Sequence, residues 1–183
     1  MNEHIRDLDV AGIEIPTWVD GVLKPYDKLA AHLEGLRHMA VSVFVMSGSD
    51  VLIQRRALHK YHTPGLWANT CCTHPEWGEE AGACAVRRLK EELGITGLAP
   101  DHRGQVEYRA DVGDGLIEHE VVEVFVTQTT PDLQVTPNPS EVMAIEWVDV
   151  DALIKRIDAT PEVFTPWLRI YLAQHREMIL GQS

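Results

Sequence analysis

Cysteine is scarce. The 183-residue chain has three, two of them adjacent (Cys71 and Cys72), and an odd count with that spacing makes no disulfide framework. Free thiols in a reducing compartment are the better reading, which makes the cytoplasm the expected location. Long apolar runs are missing as well. Met39 to Met46 is among the longest, far short of the roughly 20 residues that a spanning helix needs. The N-terminus carries Glu3, Asp7 and Asp9 and no basic head before an apolar stretch, so no secretory signal is expected. Positive charge is in deficit: 16 Lys and Arg face 28 Asp and Glu, for a net charge of −12. That balance argues against general affinity for nucleic acid or an anionic membrane surface. A small-molecule ligand and a monomer or weak dimer are the expectation.

What remains reads as one α+β domain. Residues 1–15 show no clear period and are expected to form a flexible tail, with a single domain over 16–183. Asp20-Gly21 between Trp18-Val19 and Val22-Leu23 predicts a hairpin. Residues 26–34 predict a short helical turn, Met39 to Met46 a buried strand, and Val51 to Gln54 its partner. Leu66 to Thr73 reads as extended. The best helix runs from about Glu79 to Leu93, with Val86, Leu89 and Leu93 as its inner stripe, Ala85 widening it, and Gly94 as the stop. Gln105 to Ala110, Leu116 to Gln128 and Met143 to Val148 predict strands. Asp151 to Ile157 and Pro166 to about Leu180 predict helices. A mixed central sheet flanked by helices, with further helices at the C-terminus, is the expected architecture.

Two sets of polar residues stand out against this frame. Glu118 and Glu120 share a strand at i and i+2 and so point to one face, at the end of the apolar row Val122, Val124 and Val126. Two like charges there are costly unless a cation or a shared proton relieves them. Cys72 and His74 form a second pair on one side of an extended segment, because Pro75 pushes His74 to extended geometry. His32 and His38 flank a short loop. Imidazole with carboxylate suits a divalent ion such as Zn²⁺ or Mn²⁺. Local cations gather despite the acid excess: Arg55 and Arg56 at a strand end, Lys60 four residues past Arg56, and Arg87 and Arg88 on the helix. Arginine forks match phosphate oxygens, and lysine adds a point charge. Arg87 with Glu91, and Arg88 with Glu92, are also spaced to pair along an exposed helix face.

The helix is similar to the Nudix box, Gly-x5-Glu-x7-Arg-Glu-U-x-Glu-Glu-x-Gly-U, through Glu79, Arg87, Leu89, Glu91, Glu92, Gly94 and Ile95. It departs at Thr73, where the box has glycine, and at Arg88, where the box has a metal-holding glutamate. Residues of about 18–175 resemble the type I isopentenyl-diphosphate Δ-isomerases, enzymes of the Nudix fold. The resemblance is carried by KLAAH (28–32), RHMAVSVF (37–44), QRRALHKYHTPGLWANTCCTHP (54–75), EYRA (107–110), IEHEV (117–121) and FTPWL (164–168), and TPGLWANTCCTHP is the strongest run.

That resemblance implies the rest. A divalent metal (Mn²⁺, Zn²⁺ or Mg²⁺) would sit on His32, His38, His74, Glu118 and Glu120. A Mg²⁺ arriving with the substrate diphosphate would meet Glu92. The phosphates would meet Lys28, Arg56, Lys60 and Arg88. Cys72 and Glu120, assisted by Tyr108, would move the proton, and Trp167 would cover the hydrocarbon end. Cys72 is implied as a thiolate, its pKa lowered by nearby cations. A Nudix pyrophosphohydrolase acting on a nucleoside diphosphate derivative is the alternative, and a silent metal- or phosphate-binding module is a third. Arg88 at the glutamate position speaks against hydrolysis, since a cation there weakens metal binding while favouring diphosphate.

Overall fold

The computed structural model describes residues 12–181; most of the expected N-terminal tail lies outside that range, and its last two residues already belong to the first strand. Strands β1 (Glu14–Val19) and β2 (Val22–Asp27) form the expected hairpin. Its turn places Asp20 at φ 53° and Gly21 at φ 77°, the left-handed pair that a two-residue turn between twisted strands demands. Helix α1 (Lys28–Glu34) follows, with Asp27 Oδ1 accepting from Ala30 N at 2.9 Å as its N-cap.

Strand β3 (Arg37–Ser47) is the axis of the molecule. One edge pairs in parallel with β8 (Ile117–Gln128) from Arg37↔His119 to Met46↔Gln128, and β7 (Asp101–Asp111) closes antiparallel on the far side of β8. The other edge is shared in turn by β1 at Thr17↔His38, by β6 (Cys71–Thr73) at Ser42↔Cys72, and by β4 (Asp50–Arg56) at Met46↔Val51. Strands β5 (Trp67–Ala68) and β9 (Val142–Asp149) flank β4.

Period-two alternation gives the sheet two apolar faces. Val41, Val43, Val45 and Cys71 pack beneath α2 (Ala81–Leu93), where Cys84, Ala85, Leu89 and Leu93 are buried. On the opposite face Ala40, Phe44, Val122, Val124 and Val126 pack against Leu153 of α3 (Val150–Ala159) and Trp167, Leu168 and Tyr171 of α4 (Pro166–Gln174). The inner stripe expected on α2 is thus corrected: Val86 is 45% exposed, and the stripe runs through Ala85, Leu89 and Leu93 with Cys84 beside it. Small side chains let the helix lie close to the sheet, which rolls Val86 outward. The C-terminal helix is also two pieces, α4 and α5 (Arg176–Leu180), broken at His175, whose φ of −129° is not helical. Gly94 ends α2 at φ 65°, and a Cβ there would meet Thr136 O at 2.9 Å.

Candidate active site

Residues far apart in sequence converge at the end of the sheet where β3 and β8 begin. His38 and Glu120 are register partners there, and Glu118 and Glu120 face the same side, as the strand period requires. Tyr108 of β7, opposite Glu120 in the ladder, bridges the two carboxylates: its hydroxyl lies 2.9 Å from Glu118 Oε2 and 2.7 Å from Glu120 Oε2. His32 enters from α1 and His74 from just beyond β6. His32, His38, His74 and Glu120 form one close cluster, and His32, His62 and Glu118 form a second that shares a histidine with it.

The donor set fits a divalent cation on three counts. His32 Nδ1 and His38 Nδ1 each lie 2.7 Å from a backbone carbonyl, of Lys28 and Leu36 respectively. Those bonds fix the proton on Nδ1 and leave the Nε2 lone pairs facing the cluster. His38 Nε2 is buried with no hydrogen-bond partner, an atom set up for a ligand. Burial, reinforced by neighbouring cationic groups, holds His32 well below its usual range and His74 at about 3. The imidazoles of His32 and His74 are therefore neutral and metal-ready. The carboxylates titrate as a pair. Burial and the charge of Glu120 push Glu118 well above the usual carboxylate range. Glu120 stays well below it, because His74, hydrogen-bonded to it at 3.0 Å, and the His38 imidazole 3.7 Å away outweigh its own burial.

A cleft beside this cluster is lined by Lys28, Arg56, Lys60, Arg88, Glu92, Cys72, Tyr108, Glu118, Glu120 and Trp167. The four expected phosphate-binding cations thus line one cleft. Arg56 donates to His62 O at 3.1 Å, and its guanidinium lies 5.3 Å from the Trp167 ring. Arg88 Nη2 donates to Glu92 Oε1 at 2.7 Å, and Gln54 Nε2 donates to Glu92 Oε2 at 2.8 Å. Arg87 lies outside this cleft; its main partner is Glu79, at 2.7 Å from both Nε and Nη2, with Glu91 at 3.0 Å as a third contact.

Cys72 and Cys71 point to opposite faces, as expected from the strand period: Cys71 lies in the core beneath α2, and Cys72 faces the cleft. The expected direction of the thiol shift is reversed. Burial pushes Cys72 up, and Glu120 and Glu118 add to the rise, while hydrogen bonds with Ser42 and Asn69 pull against it. With protein groups alone, Cys72 is a thiol at neutral pH.

Sequence reasoning missed four contributors. His62 faces Glu118 at 3.7 Å, and Glu141 pairs with Lys60 and Arg88. Ser42 and Asn69 bond to the Cys72 sulfur. His62 was legible within HKYHTPG as one more imidazole beside Arg56 and Lys60. Glu141 lies in a loop without any pattern.

The sequence matches the NUDIX domain family over residues 36–168. It is 64% identical over 167 residues to an isopentenyl-diphosphate Delta-isomerase of Dinoroseobacter shibae, covering 91% of this chain and 95% of that one. With a protein of the same name from Cereibacter sphaeroides the identity is 65% over 168 residues, 92% and 95% of the two chains. Among solved structures, a Deinococcus radiodurans protein superposes with a TM-score of 0.71 at 18% identity, over 88% of this chain and 98% of that one. A MutT NUDIX hydrolase from Burkholderia pseudomallei gives 0.59 at 21% identity, over 76% and 98%. Those two likenesses are of fold.

Proposed function

The chain belongs to the NUDIX domain family and, within it, to the isopentenyl-diphosphate Delta-isomerases, and from that premise we propose a mechanism built on Cys72 and Glu120. The reaction transposes a double bond between isopentenyl diphosphate and dimethylallyl diphosphate. An acid adds its proton to the terminal methylene carbon, a tertiary cation forms, and a C–H bond on the other side of that cation breaks. Its electrons make the new double bond, and its proton passes to a base.

One observation carries the assignment: the cleft is walled by a thiol from β6 and a carboxylate from β8, strands that lie on opposite edges of β3. Groups brought in from opposite edges of one strand can serve the two faces of a flat alkene. Glu120 with Tyr108 is the acid side, because the Tyr108 hydroxyl bridges Glu118 and Glu120 and gives a proton a path to the Glu120 carboxylate. Cys72 is the base. Burial holds it as a thiol among the protein groups alone, and positive charge brought beside it lowers its pKa toward the thiolate. The Trp167 ring borders the same cleft and can stabilise a cation through its face by about 0.5–2 kcal/mol. Water must stay away from the reacting carbons, where it would trap the cation as an alcohol.

Lys28, Arg56, Lys60 and Arg88 hold the diphosphate. His32, His38, His74, Glu118 and Glu120 would hold one divalent ion, and Glu92 would meet a Mg²⁺ that comes with the substrate. Such ions supply positive charge that keeps nearby carboxylates ionised and neutralises phosphate oxygens. Incubation of isopentenyl diphosphate in D₂O tests the whole reading: deuterium enters the carbon skeleton of the product with the wild-type protein, and not with Cys72→Ala or Glu120→Gln. Full activity in either variant defeats the assignment. Phosphate release from nucleoside diphosphate derivatives, with no allylic product, would favour hydrolysis instead.

A further inference from the structure

Three hydrogen bonds close a ring behind the Cys72 sulfur. Cys72 Sγ donates to Asn69 Oδ1 at 3.1 Å, Asn69 Nδ2 donates to Ser42 Oγ at 2.9 Å, and Ser42 Oγ lies 3.1 Å from Cys72 Sγ. The chemistry of the partners fixes the directions. Asn69 Nδ2 also donates to the carbonyls of Val43 at 3.0 Å and Cys71 at 3.2 Å, and a flipped amide would turn its oxygen toward both. Ser42 Oγ accepts the amide proton, so its own single proton is free to go to the sulfur. Each side chain donates once and accepts once around the ring.

Ser42 and Asn69 are fully buried, and neither lines the cleft that Cys72 lines. A purely architectural role explains part of Asn69, whose nitrogen stitches β6 to β3. It does not explain the Asn69 oxygen, which is aimed at sulfur. Nor does it explain Ser42, whose hydroxyl bonds, among the described residues, to the side chains of Asn69 and Cys72 and to no backbone group. A cysteine on a strand has staggered χ1 choices, and two hydrogen bonds at Sγ select one of them. Proton transfer to or from carbon is sensitive to that choice, because a displacement of about 1 Å can cost on the order of 100-fold in rate.

We propose that Ser42 and Asn69 are positioning residues for the isomerisation, holding Cys72 Sγ from behind in the orientation that faces the substrate. The proposal rests on the assignment of Cys72 to the reaction.

The test compares wild type, Ser42→Ala, Ser42→Thr, Asn69→Ala and Cys72→Ala for steady-state isomerisation of isopentenyl diphosphate. Calorimetric binding of inorganic pyrophosphate reports independently that the fold and the anion site are intact. Ser42→Ala should lose about 10-fold or more in kcat, with KM and pyrophosphate affinity within about twofold of wild type. Ser42→Thr, which returns the hydroxyl, should restore most of kcat. Asn69→Ala should lose more and also melt lower, since two backbone carbonyls lose a donor; if it fails to fold, the Ser42 pair still decides. Wild-type kcat in Ser42→Ala beside an inactive Cys72→Ala overturns the positioning role alone. A loss of kcat that tracks a loss of pyrophosphate affinity, or a Ser42→Thr as poor as Ser42→Ala, also overturns it. Full activity in Cys72→Ala defeats the assignment of Cys72 itself.

Discussion

Lys60 and Glu141, 81 positions apart in the chain, form a 2.5 Å ion pair at the cleft. Glu141 also accepts from Arg88 Nη2 at 3.3 Å, so one carboxylate occupies two of the four cations assigned to the diphosphate. A resident anion competes with an incoming one. Glu141→Gln should therefore bind pyrophosphate about 5–10-fold more tightly, since one charge contact in a partly wetted site is worth on the order of 1 kcal/mol. Titration calorimetry reads this directly. Weaker binding in the variant would show that Glu141 aims the cations rather than competing for them.

Burial, with Lys60, Arg88 and Arg56 nearby, lowers the Lys28 ammonium to about 7. A bound diphosphate favours the charged form and raises that value. Below pH 7 Lys28 is already protonated, so binding draws no proton for it; above pH 7 binding draws up to one. Affinity should correspondingly fall as pH rises past 7. Calorimetry in two buffers of different ionisation enthalpy should show more proton uptake at alkaline pH in wild type than in Lys28→Arg, because arginine stays charged throughout. Equal uptake in the two proteins would remove Lys28 from the phosphate site.

Metal removal should cost stability. A cation at His32, His38, His74, Glu118 and Glu120 would satisfy the partnerless His38 Nε2 and relieve the paired carboxylates. Occupancy at 100 times Kd stabilises by about 2.7 kcal/mol, or roughly 5–10 °C for a chain of this size. Chelation should lower Tm by that order, and Zn²⁺ or Mn²⁺ should restore it. In His38→Ala the chelator should change Tm little; an unchanged chelator effect there would remove His38 from the ligand set.

Cys71 and Cys84 are fully buried against the α2 face, away from the cleft. Cys71→Ala and Cys84→Ala should each keep isomerase activity and lose on the order of 1 kcal/mol of stability through the small void left behind. Denaturant melts beside activity assays check both halves. A dead Cys71→Ala would relocate the reactive thiol.

Features governed by the strand period were legible in the sequence. The shared face of Glu118 and Glu120, and the opposite faces of Cys71 and Cys72, follow from alternation alone. Convergence was legible only through the family resemblance: the site draws on α1, on the loop that carries Lys60 and His62, and on the segment that ends at Glu141, and no local pattern says that these meet. Helix α2 shows a second limit. Its apolar residues allow more than one stripe, and the surface beneath the helix, rather than the helix, turns Val86 out and Glu92 in. The break at His175 has no proline or glycine to announce it. For Cys72, nearby cations could be counted from the sequence, but the burial that outweighs them could not.

The pairing of β3 with β8 sets the order in which the protein can mature. His38 and Glu120 become neighbours only when two distant segments zip together in parallel, a non-local contact whose loop-closure entropy is met late. A ribosome-bound chain that has released β3 but not β8 can present its histidines without their carboxylates. Ion capture at the proposed full ligand set would therefore be a late event, and its kinetics during refolding would report closure of the sheet.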